Sequence, residues 1–116
     1  MSWNDHTNIC TYRVKAGKRE QFIALLQKHW PALREAGLVT DTPALHFEAH
    51  IGGGRHNEAG TTFVEIFCWA DDEAQNIAHN SAGVMAVWEP MGALVEARGG
   101  RPGMEFPAYR PLNLNE

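Results

Sequence analysis

The stretch Thr61–Trp69, TTFVEIFCW, decides the fold. As a strand it puts Val64, Ile66 and Cys68 on one face and Phe63, Phe67 and Trp69 on the other. Apolar residues on both faces mark a strand in the middle of a sheet, with something packed above and below it. Glu65 breaks the pattern. It lies between Phe63 and Phe67 on their face, where a carboxylate is costly unless paired, hydrogen-bonded or protonated. Such a setting predicts a raised pKa, and a carboxylate poised near neutrality can take a proton from a phenol or an acidic carbon. The plainer alternative is a structural carboxylate paired with Arg13 or with a histidine of a neighbouring strand.

Outward from this strand, Thr7 to Val14 carries Ile9, Cys10, Tyr12 and Val14 in loose alternation, which predicts a first strand. Lys15-Ala16-Gly17 turns the chain. From Lys18 the period lengthens, and Phe22, Leu25, Leu26, His29, Trp30 and Leu33 form one apolar stripe of a helix. Pro31 is expected to break or kink that helix after Trp30, with a short second helix over Ala32–Ala36 closed by Gly37. Leu45 to Ile51 alternates, placing Leu45, Phe47, Ala49 and Ile51 on a dry face and His46, Glu48 and His50 on a polar one. Gly52–Gly60 is a glycine-rich hairpin loop. Downstream, Asp71 and Asp72 start a helix over Glu73 to His79, and Asn80-Ser81 interrupts it with Ser81 as a new cap. Val84, Val87, Trp88, Met91, Leu94 and Val95 keep helical spacing, and Pro90 is expected to bend that segment. Met104–Tyr109 reads as a last strand, demoted to a sheet edge by Pro107, and residues 110–116 as a loose tail or a dimer arm.

The order is β-α-β-β-α-β. Two right-handed crossover units of this kind give a ferredoxin-like α+β fold, a four-stranded antiparallel sheet with helices on one face. The first and third strands are then central and the second and fourth are edges. The uncovered face of so apolar a central strand cannot remain in water, and pairing with the same face of a second copy covers it. A homodimer is expected.

The totals narrow the function. At 116 residues the chain suits one domain over 1–116, and a net charge of −4 with no basic face argues against nucleic acid and anionic membranes. No apolar run reaches the length of a membrane span, and MSWNDHTN lacks the regions of a signal peptide, so the expected location is cytoplasmic. Cys10 and Cys68 lie inside strands without a CxxC spacing and are expected to be buried free thiols. Neither they nor any serine sits in a nucleophile arrangement, and Gly52–Gly54 is not followed by the residues of a phosphate loop.

TYRVKAGKREQFIALL, FVEIFCWADDEAQNIAHN and VMAVWEPMGALVE carry a resemblance that spans most of residues 7–97. The chain resembles the dimeric α+β barrel superfamily, and within it the antibiotic biosynthesis monooxygenase-like group. That group includes cofactor-independent oxygenases of aromatic polyketides, haem-degrading enzymes and cyclases. The resemblance implies a pocket between the sheet and the helices of each subunit. The haem-degrading pattern asks for an asparagine on the first strand, then a tryptophan and a histidine ten residues apart on the second helical region. Asn8 supplies the first, but Ala78 takes the tryptophan position and Trp88 the histidine position. Trp69 and His79 have the spacing, yet Trp69 ends a strand. Haem is disfavoured.

Three functional readings remain. In the first, a homodimeric enzyme acts on a small, flat, largely apolar molecule by proton abstraction and cofactor-free oxygen chemistry. Glu65 or His79 takes the proton, Asn8 orients the substrate, and Trp69, Trp88, Trp30 and Phe67 wall the site. His79 sits at a helix break where an imidazole can act as acid, base or ligand, or simply face the helix dipole. The second reading is a non-catalytic ligand-binding or structural dimer. The third is a metal enzyme using His46, Glu48 and His50, which carry facial-triad ligand types but stand about 6.5–7 Å apart along one strand face. His56 is a further candidate ligand. No cofactor is favoured.

Overall fold

The computed structural model describes residues 3–49 and 60–114. Thr7–Lys15 forms β1, Arg19–Glu35 α1, Leu45–Glu48 β2, Gly60–Cys68 β3, Ala74–Ala78 α2 and Ala82–Ala93 α3. Two short strands close the chain, Met104–Glu105 (β4) and Ala108–Tyr109 (β5). The sheet is antiparallel in the order β2-β3-β1-β4, with β5 also on β1, so the first and third strands are central. This is the expected ferredoxin-like α+β arrangement. The last strand is divided because Phe106-Pro107 interrupts the pairing; a proline has no amide hydrogen for the ladder.

β1 and β3 pair along their whole length, setting Cys10 opposite Glu65, Tyr12 opposite Phe63 and Asn8 opposite Phe67. All six are buried, on the face the helices cover. On α1, Phe22, Leu26, His29 and Leu33 recur at intervals of four, three and four and are the residues it buries. Phe22 stacks on Phe63 and packs against Tyr12, so those rings belong to the core. Both cysteines are free and buried.

One proline expectation is corrected: α1 runs through Pro31 without ending, so Ala32–Ala36 is not a separate second helix; α3 likewise continues through Pro90. Each proline removes a bond to the carbonyl four residues earlier, at Gln27 and Ala86, and both of these residues are exposed, so water can serve those oxygens. The helix after Asp71 does break at Asn80-Ser81, where the Ser81 hydroxyl accepts from the Val84 amide at 3.4 Å.

α1 ends at Gly37, whose φ of 75° is left-handed. Leu38 N–H donates to Leu33 C=O and Gly37 N–H to Arg34 C=O, both at 3.0 Å, the double closure of a Schellman motif. Gly37→Ala should lower stability by about 1–2 kcal/mol through the left-handed backbone alone, since an added Cβ meets nothing within 4 Å. Chemical denaturation measures this.

The second strand reverses an expectation. His46 and Glu48 pair in register with Glu65 and Phe63, so the polar residues turn towards the helices. The apolar pair faces outward, Leu45 at 45% and Phe47 at 55% exposure. In cross-strand rows, Leu45 lines up with Ile66 and Ile9, and Phe47 with Val64 and Thr11. The uncovered face of the sheet is therefore the apolar one. Among the described residues no helix is long and apolar enough to cross a membrane.

Candidate functional site

Glu65 is fully buried at the centre of β3 and accepts three hydrogen bonds. One carboxylate oxygen takes Tyr12 O–H at 2.6 Å and His29 Nδ1 at 2.8 Å; the other takes His46 Nε2 at 2.8 Å. The donors come from β1, α1 and β2, so packing the helix on the sheet assembles the cluster. Burial pushes the carboxyl upward, but the hydrogen bonds of His29 and His46, together with that of the Tyr12 phenol, outweigh it. They hold Glu65 well below its ordinary value, at about 2. The expected raised pKa is thus overturned, and the partners are histidines. Arg13 is committed elsewhere, to Glu105 at 2.7 Å. Burial first, then the Glu65 charge, push both the Tyr12 phenol and the Cys10 thiol up, so Tyr12 stays a donor and Cys10 stays an inert thiol.

The tautomer of His29 follows from its other contact. Trp88 Nε1 lies 2.7 Å from His29 Nε2. An indole N–H can only donate, so Nε2 accepts and the ring proton sits on Nδ1, facing Glu65. His29 is a neutral imidazole whose carboxylate partner fixes which nitrogen keeps the lone pair. This is the arrangement by which a buried carboxylate orients a general base.

Beyond His29 a cavity of about 230 Å³ opens between the sheet and the helices. Its walls are mostly apolar, with Phe67, Trp69, Trp88, Met104 and Phe106, and its polar members are Asn8, His29, Gln75 and His79. Asn8 is 1% exposed and Trp69 5%, and the Asn8 Nδ2 and Trp69 Nε1 atoms have no hydrogen-bond partner among the described residues. Buried donors without partners are costly. Of the three such atoms among the described residues, two belong to residues that line this cavity and the third is Trp30 Nε1 on α1. The pair points to an acceptor atom that belongs beside them. His79 is exposed at the end of α2, its ring 4.9 Å from that of Trp88, and stands at the rim.

Of the residues singled out in the sequence, the structure therefore gathers Asn8, Phe67, Trp69, His79 and Trp88 around one cavity. Trp30 is not among its walls; it is half-buried against the core on α1. Glu65 does not line the cavity either and reaches it only through His29. His46 and Glu48 diverge: His46 binds Glu65, while Glu48 receives both an Arg19 fork at 2.8 Å and the Thr61 hydroxyl. His50 and His56 lie outside the described residues, as does the loop Gly52–Gly54. Among the described residues no group of three His, Cys, Asp or Glu side chains is placed to hold a metal ion.

Neither a family model nor a curated protein matches the sequence. Solved structures do match the fold. A variant of SnoaB, a cofactor-independent oxygenase from Streptomyces nogalater, superposes with a TM-score of 0.61 at 15% identity, covering 97% of this chain and 99% of that one. An antibiotic biosynthesis monooxygenase gives 0.63 at 15% identity over 90% and 98% of the two chains. The fold is that of the antibiotic biosynthesis monooxygenase-like proteins. A third relative of the same fold, from Jannaschia sp., is described as a dimeric ferredoxin-like protein of unknown function; its TM-score is 0.59 at 11% identity, over 90% and 98%.

Proposed function

We propose that this monooxygenase-like chain binds a small, flat, largely apolar molecule bearing an oxygen acceptor, and removes a proton from it for cofactor-independent oxygenation. The observation that carries the reading is the pair of unpartnered N–H donors, Asn8 and Trp69, in an apolar cavity that also holds an oriented imidazole. An apolar cavity of about 150 Å³ takes a benzene, so this one suits one ring with a fused ring or substituents. The likeness in fold to a cofactor-independent oxygenase supports the chemistry.

In this account Asn8 and Trp69 hold a substrate oxygen and stabilise the charge it gains on deprotonation. His29 Nε2 receives the proton, while Glu65 is a positioning residue that stabilises the imidazolium. His79, at the rim, is the second base within reach. The enolate or phenolate then gives electrons to molecular oxygen; a carbon–oxygen bond forms, and loss of water from the hydroperoxide leaves a carbonyl. Each methylene oxidised consumes one O₂ and releases one water, the returned proton included, so no metal or flavin is required.

A panel of mono- and dihydroxynaphthalenes, titrated first for binding and then for oxygen uptake without added metal or flavin, tests this. His29→Gln should lower the rate about 10²–10⁴-fold, and Asn8→Leu should weaken binding about tenfold or more. Absence of binding across the panel would defeat the reading. One observation favours a ligand-binding protein without chemistry, since Trp88 already occupies the His29 lone pair; binding with no oxygen uptake is its signature.

The bare sheet face supports the second half of the proposal, a homodimer formed through that face. Leu112 and Leu114, at 79% and 81% exposure, fit an arm that reaches over the partner.

A further inference from the structure

His29 is satisfied at both ring nitrogens, by Glu65 and by Trp88, whereas Asn8 and Trp69 in the same cavity keep N–H groups without partners. The cavity is thus open to an acceptor and closed to a base-seeking group. His29 is only 2% exposed, so no bulk water stands ready to replace the indole on Nε2. Trp88 is different: half-buried on α3, it has the exposed His79 ring on its outer side, and among the described residues its N–H is held by His29 alone.

We propose that Trp88 is a displaceable cap on His29, and that it makes use of the base conditional on a ligand that carries an O–H group. The inference rests on the aromatic-ligand reading above. If the indole moves aside for a ligand that cannot donate, Nε2 is left as a buried acceptor without a partner, a loss of about tenfold or more in affinity. A hydroxyl replaces the indole N–H bond for bond. It also sets its own proton on the lone pair that would remove it, so the same exchange that admits the ligand brings the base into use. A ligand without the hydroxyl binds with the cap in place and leaves His29 blocked.

The probes are 2-naphthol and 2-methoxynaphthalene, equal in ring size and differing in the O–H. Titrated into wild type and Trp88→Phe, which keeps an aromatic wall and loses the donor, they should behave differently. The preference for 2-naphthol over 2-methoxynaphthalene should rise about fivefold in the variant, because the lone pair is already free. In wild type the Trp88 indole N–H resonance should move to a solvent-exposed position on adding 2-naphthol and stay in place with 2-methoxynaphthalene; this readout needs no folded variant. An unchanged preference in the variant, or an indole resonance that responds equally to both probes, overturns the cap and leaves the ligand reading standing. No binding of either probe to either protein overturns both.

Discussion

Glu65→Gln is expected to destabilise the protein by about 2–3 kcal/mol at pH 7, although it removes a charge from an apolar face. A buried ion exchanged for a neutral group of the same shape often gains stability. Here the exchange is not neutral, because three donors converge on the carboxylate. The amide offers one accepting oxygen and turns its NH₂ towards a donor. Tyr12 and His29 are buried and cannot turn to water for compensation, whereas His46, with its side chain 40% exposed, can. Glu65→Ala, which satisfies none of them, should cost more, about 3–5 kcal/mol. The pH dependence carries the same signature. The folded carboxyl lies near 2 against an unfolded value of 4.5, so its contribution is complete above pH 4.5 and disappears as pH falls from there towards 2. That contribution is on the order of 3 kcal/mol. Urea titrations of wild type and Glu65→Gln should differ at neutral pH and converge over that acid window. A variant as stable as wild type, with the same acid limb, would mean that the cluster does not hold the fold together.

Much of the architecture could be read from local pattern. The doubly apolar TTFVEIFCW placed β3 in the centre, and the change from period two to helical period located α1 and the broken second helical region. Pattern offered Glu65 a histidine of a neighbouring strand, which His46 is, but it did not supply the partner on the helix. The strand signalled a carboxylate in need of a donor, and the helix signalled its counterpart, since His29 interrupts an otherwise apolar stripe between Leu26 and Leu33. Each misfit is cheap only if it meets the other. Pairing misfits across elements was the available signal, and reading His29 as part of the stripe missed it. The direction of β2 was a different matter. Alternation separates His46 and Glu48 from Leu45 and Phe47 but does not say which set faces the helices; the answer depends on Glu65 and Arg19 drawing the polar set inward. Pro31 misled because the cost of the lost hydrogen bond depends on whether the orphaned carbonyl meets solvent, which a sequence does not display.

Phe47→Glu is expected to abolish dimerisation while leaving the subunit folded. Phe47 is 55% exposed on an edge strand and packs little within its own chain, so the substitution removes few internal contacts. Across a two-fold interface it acts twice, removing two large apolar side chains and adding two carboxylates to a dry surface. Burying a Phe contributes about 1.5–3 kcal/mol, so losing a pair raises the dissociation constant by about 10²–10⁴-fold even before charge is counted. Sedimentation equilibrium reads the change, and far-ultraviolet circular dichroism confirms the fold. A monomeric wild type, or a variant that associates as before, would defeat the sheet-face dimer. The cavity opens on the helix side of the same sheet, with Asn8 and Phe67 on the face opposite Ile9 and Ile66. Ligand binding should therefore survive in the monomeric variant if each subunit builds its own site. A loss of binding together with the dimer would instead show that the partner's tail completes the wall near Phe106, and that dimerisation and function are one event.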